Sequence, residues 1–182
     1  IDATLDLATA VVTVRIARHE NDSAPRLLRL RQDTEGEISW IEGDAISETS
    51  IRLLPAYDLV RDNAMAKLGI APPAIWSNPD GGGFLQTLPA DAPLALAWRK
   101  QEGQILLATA LGSDASDAAQ ASLLGFDPAA AESACLRFWS NFWAASARVS
   151  LADPVLQRQF ACGLYRQGGL IRRHAPAATL QG

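Results

Sequence analysis

The sequence predicts a mainly β chain ending in helices: an antiparallel β-sandwich over residues 1–126, then two linker helices over 127–182. Three observations carry this. Short stretches of the first half alternate apolar and polar residues, with turn-forming residues between them at roughly 8–12 positions. Lys100-Gln101-Glu102-Gly103 joins two apolar runs as a polar, glycine-bearing hairpin connection. From Asp127 the apolar spacing changes to three and four, and two segments each open on Asp-Pro.

Taken in order, Leu5-Asp6-Leu7 alternates, and Val11 to Arg18 is β-branched, with Thr13 and Arg15 facing away from Val12, Val14 and Ile16. Glu20 to Pro25 reads as a turn. Leu27 to Arg31 alternates with Leu28 and Leu30 inward; Glu37 to Ile41 and Ser50 to Leu54 are two further short strand candidates. Tyr57 to Leu68 has the character of a helical turn or two. Pro72-Pro73, Asn78-Pro79-Asp80 and Gly81-Gly82-Gly83 are then expected to break any regular element. Leu94 to Arg99 and Gln104 to Ala110 form the hairpin, and Ser113 to Phe126 reads as a connection, with a short helix as a further option.

Asp127 and Asp153 are predicted N-caps, because an Asp carboxylate accepts from the first free backbone N–H groups and a following Pro has none to lose. In the first helix, Ala131, Ala134, Cys135, Phe138, Trp139, Phe142, Trp143 and Ala147 gather on one face. That much ring surface requires a cover. Val149-Ser150-Leu151 is an extended link. The second helix carries Leu156, Phe160, Gly163 and Leu164 on one side and is expected to stop at Gly168-Gly169.

The composition, 48% hydrophobic and 20% charged, suits one sizeable core. The net charge is −4 but uneven: Lys and Arg number 10 against 17 Asp and Glu before residue 127, and six against three from there on. An acidic body disfavours a nucleic-acid partner. No apolar run reaches the roughly 18 residues of a membrane span. The chain opens on Ile1 without a signal-peptide pattern and reads as a mature or excised piece. Cys135 and Cys162, one per helix, read as small buried apolar residues; spacing alone does not pair them.

Chemistry is sparse. His19 and His174 are the only histidines, no Cys/His spacing resembles a metal site, and no cofactor motif is present. The glycine run lacks the Lys-Ser/Thr and the strand-to-helix setting of a phosphate loop. Trp76 and Phe84, among the breakers, either stack on a sugar ring or plug the end of the sandwich, and the size of their apolar surface favours the plug. Arg172-Arg173-His174 is a solvated basic turn or a contact for a carboxylate or a sugar hydroxyl. Phe138, Trp139, Phe142, Trp143, Phe160 and Tyr165 are assigned to inter-domain packing.

The run Phe142-Trp143-Ala144-Ala145-Ser146, continued by Val149, Leu151, Asp153, Leu156, Phe160, Leu164-Tyr165, Arg172 and Leu180-Gln181-Gly182, resembles a known junction. It is similar to the one in bacterial six-hairpin glycoside hydrolases of the family 95 (alpha-L-fucosidase-like) kind. There a super-sandwich β domain joins an (α/α)6 catalytic barrel through linker helices. The Trp that follows soon after Leu-Gln-Gly in that pattern does not occur in this chain. The resemblance implies a parent glycoside hydrolase, periplasmic or secreted, whose cleaving carboxylates lie in the barrel. This chain alone would then be inactive. Two other readings stay open: a carbohydrate-binding module, and a domain that self-associates through exposed helices.

Overall fold

The computed structural model describes residues 1–17, 24–34, 37–44, 46–48, 50–60, 62 and 64–170. Its strands are β1 (Asp2–Asp6), β2 (Val11–Ile16), β3 (Arg26–Gln32), β4 (Ile38–Gly43), β5 (Ala74–Asn78), β6 (Gly81–Gln86), β7 (Leu94–Gln101) and β8 (Gln104–Leu111). The helices are α1 (Ala56–Leu59), α2 (Ala64–Lys67), α3 (Ala115–Gly125), α4 (Pro128–Ala145) and α5 (Pro154–Leu170). The chain is mainly β with C-terminal helices, as the sequence predicts. The β4–β8 pairing makes all eight strands one antiparallel sheet, ordered β1-β2-β3-β4-β8-β7-β6-β5, instead of dividing them between two hydrogen-bonded sheets.

Residues directly opposite one another share a face, so the registers sort the side chains. One row runs Leu5, Val12, Leu30, Ile41, Ile105 and Lys100. A row on the other face runs Ile38, Ala108, Ala97, Gly83 and Trp76. Helix α3 lies on this second face, over β7 and β8 and lightly over β6. Its Ala115, Ala119 and Leu123 are buried with Ile38, Trp40, Ala95, Ala97, Leu106 and Ala108. Small side chains on both helix and strands let backbone approach backbone, which is why an Ala-rich segment forms the core helix here. On the opposite face, Lys100 donates from Nζ to the Ser47 carbonyl at 3.1 Å. That bond ties down the 3-10 turn Ile46–Glu48, whose Ile46 is fully buried.

Four local expectations are corrected. Ser50 to Leu54 belongs to no strand: both edges of β4, the strand it follows, are already taken by β3 and β8. The breakers do not break: β5 and β6 pair through the Asn78-Pro79-Asp80-Gly81 turn, and the glycines lie inside β6. A Cβ on Gly83 would strike the Trp76 ring and the Leu96 carbonyl, so glycine here permits an indole to lie across the strand. Residues 113–126 hold a core helix of 11 residues rather than a connection. Helix α5 runs through Gly168-Gly169, since Gly168 is where it meets α4.

The hairpin between β7 and β8 turns on two residues, Glu102 (φ 46°) and Gly103 (φ 76°), the paired left-handed geometry whose twist matches the strands. Both caps form as predicted. Asp127 Oδ1 accepts from Ala129 N–H at 2.9 Å and Ala130 N–H at 3.2 Å. Asp153 Oδ1 accepts from Val155 and Leu156 at 2.7 and 3.3 Å. The turn Glu20 to Pro25 lies mostly outside the described residues.

Candidate functional site

Two features gather chemistry-bearing side chains. One is the junction of α4 with the sheet and with α5. Helix α4 is fastened at three points along its length. Arg31 Nη2, on β3, sits 2.8 Å from Glu132 Oε1 and 3.3 Å from Glu42 Oε1. Cys135 Sγ donates to the Gln32 carbonyl at 2.9 Å, and Trp143 Nε1 donates to the Leu7 carbonyl at 2.8 Å. The pairing of strands brings the last residue of β3 and the β1–β2 turn under the same helix face. Asp6 stiffens that turn by accepting from Thr9 Oγ1 at 2.7 Å and Ala8 N–H at 2.9 Å. The Thr9 hydroxyl, helped by the Ala8 N–H, holds the Asp6 carboxyl below its ordinary value.

The aromatic stripe of α4 is largely covered within the chain. Trp139 is 3% exposed and stacks on Tyr165 of α5 with ring centroids 4.6 Å apart. Phe138 and Phe142 meet Trp139 edge-on, at 5.2 and 5.5 Å. A small cavity of about 90 Å³ lies among Gln32, Thr34, Phe138, Trp139 and Tyr165. Burial raises the Cys135 thiol and, separately, the Tyr165 phenol above their ordinary values. Both cysteines are free thiols. Of the residues assigned to inter-domain packing, five thus pack against one another at the α4–α5 junction, while Phe160 sits partly buried earlier on α5.

The other feature is a groove of about 380 Å³ at the β5–β6 end of the sheet, beside the last turns of α3. Trp76, Asn78, Asp80, Arg99, Gln120 and Leu124 wall it. Gly81 and Ala97 form the floor; Gly81 lies directly opposite Arg99, and Trp76 opposite Gly83. The groove exists because α3 stops short of covering β6 and because the floor residues carry little or no side chain. Asn78 Oδ1 accepts from the Asp80 N–H at 3.0 Å, and its NH2 makes no bond to any described residue. Gln120 Nε2 donates back to the Ser116 carbonyl at 3.2 Å, leaving its carbonyl oxygen as the free acceptor. Asp80 and Arg99 make no ion pair with each other or with any other described residue.

The sugar-contact candidates are not brought together. Trp76 enters the groove, whereas Phe84 lies on the opposite face of the sheet between Ile75 and Leu96. Arg172, Arg173, His19 and His174 lie outside the described residues. Sequence reading missed Asp80, Arg99 and Gln120. The first two were signalled by the strand register around the Asn-Pro-Asp-Gly turn, but Gln120 had no signal without the placement of α3. Among the described residues no three His, Cys, Asp or Glu side chains cluster closely enough to hold a metal ion. A second depression, about 570 Å³ between α3 and α4, is lined by two carboxylates, Asp33 and Asp127, and Asp127 is committed to capping α4. No described helix is long and apolar enough to cross a membrane.

Comparison with protein-family models, with curated proteins and with solved structures returns no match.

Proposed function

We propose that this chain is a non-catalytic β domain with a helical arm that supports the catalytic barrel of a carbohydrate-active glycoside hydrolase. The observation that carries this reading is the three-point attachment of α4 to the sheet through Glu132, Cys135 and Trp143. Such an attachment makes the arm a fixed extension of the sheet, suited to holding a neighbour in one orientation. Support also comes from apolar residues left outside: Val149 (41%) and Leu151 (37%) on the link, and Val155 (57%) and Leu156 (51%) on the first turn of α5. Apolar side chains grouped in this way mark a surface that another body covers.

The test is turnover. Purified chain, assayed on a panel of aryl glycosides across pH 4–9, is expected to release no aryl alcohol. Activity that follows the protein through successive columns would refute the reading. The reading frame beyond Gly182 gives a second check: a nearby Trp and a long helical pattern are expected there.

A further inference from the structure

We propose that the groove between the β5–β6 hairpin and the end of α3 binds one neutral pyranose unit of a saccharide without cleaving it. The argument is one of complementarity. The groove's volume lies in the range of small-ligand sites, roughly 300–1,000 Å³, which combine apolar lining with a few convergent polar groups. Its apolar element is a partly exposed indole, Trp76, whose ring lies over Gly83 where a Cβ would collide with it. A flat indole favours a ligand with an apolar face. Around it stand both kinds of hydrogen-bonding group: the Asn78 NH2 and the Arg99 guanidinium as donors, the Asp80 carboxylate and the Gln120 carbonyl as acceptors. Hydroxyls satisfy both, since each donates once and accepts twice.

Charge narrows the class further. Asp80 and Arg99 set opposite charges in one groove, so neither an anion nor a cation gains an uncompensated attraction and a neutral ligand meets no net charge. A ring with one apolar face and a rim of hydroxyls answers all three requirements. Choosing a saccharide over another neutral polyol rests on the carbohydrate reading above. Among the described residues Asp80 is the one carboxylate that lines the groove, so the pair of carboxyl groups that cleaves a glycosidic bond is not assembled there and binding without hydrolysis is assigned.

The experiment is a nuclear magnetic resonance titration of the whole chain with glucose, galactose, cellobiose and glucose 6-phosphate. The neutral sugars are expected to shift the Trp76 indole N–H and the Gln120 side-chain amide saturably at millimolar concentration. Exposed Asp80→Ala and Gln120→Ala variants are expected to keep their melting temperature and to weaken binding about tenfold each, the effect of one lost hydrogen bond to ligand. Absence of any shift at 50 mM sugar would overturn the proposal. So would binding by either variant as tight as that of the unaltered chain, or preference for the phosphorylated hexose. Failure of binding leaves the supporting role intact, because that role is refuted by turnover and not by a silent groove.

Discussion

Helix α5 carries an internal control for its own packing: three glycines that differ only in what surrounds them. A Cβ built on Gly168 would lie 2.9 Å from Phe142 Cε2 and Cζ and 3.1 Å from Trp139 Cζ3. A Cβ on Gly163 or Gly169 would meet nothing within 4 Å. Replacing Gly by Ala inside a helix is worth about 0.8–1 kcal/mol in backbone propensity. Gly163→Ala should therefore stabilise by about that amount. Gly168→Ala gains the same propensity but forces two rings to shift, and overpacking of this kind costs about 1–3 kcal/mol. Its net effect runs from neutral to about 2 kcal/mol destabilising. The propensity contribution cancels in the comparison, so the gap between the two variants reports the α4–α5 contact alone, at about 1–3 kcal/mol. For a domain of this size that is about 2–4 °C in Tm for each kcal/mol. Urea unfolding followed by near-ultraviolet circular dichroism, which senses Trp139, measures both. If Gly168→Ala stabilises as much as Gly163→Ala, α5 is not seated on Phe142 and Trp139 and the reasoning fails.

Three further outcomes are expected. Trp143→Phe puts a smaller ring in place of the indole and removes the donor to the Leu7 carbonyl, so it should lower stability by at least about 1 kcal/mol in urea denaturation; an unchanged midpoint would contradict the bond. A double-mutant cycle on Arg31→Met and Glu132→Gln should return a coupling energy of about 0.5–1 kcal/mol, kept small by the 43% exposure of Glu132; additive effects would remove this attachment point. The pH profile should fall on the alkaline side. Burial raises the Cys135 thiol above its ordinary value, so the unfolded chain releases that proton first. The contribution is complete below about pH 9 and is lost as pH rises through the folded value. Cys135→Ala should flatten that decline; a profile equally steep without the thiol would assign it elsewhere.

Much of the body was legible because its strands alternate. Val12, Val14, Leu28 and Leu30 fall on one face and Thr13, Arg15 and Arg29 on the other, as side chains of period two require. The Asp-Pro caps were legible for the same local reason. What was not legible depended on partners distant in sequence. Ile51 to Leu54 has a strand's composition, yet both sides of β4, the strand it follows, are taken by β3 and β8. The β5–β6 glycines look like breakers until Trp76 is seen lying over Gly83. Ala115, Ala119 and Leu123 hold helical spacing, but their stripe is made of residues too small to register as a hydrophobic face. Gly168 resembles a helix stop, and only the neighbouring rings reveal it as a contact. The candidate groove suffers most from this. Trp76 was singled out from sequence, whereas Asp80, Arg99 and Gln120 converge on it only through the register and the position of α3.

Native-state hydrogen exchange, comparing the amides of α4 with those of β4 and β8, tests the central claim most directly. If the Arg31, Cys135 and Trp143 contacts make the arm part of the sheet, the slowest amides of α4 exchange with the same free energy of opening as those of the central strands. Amides of α4 that open well below the strands would show an arm merely leaning on the sheet, and the supporting role would lose its basis.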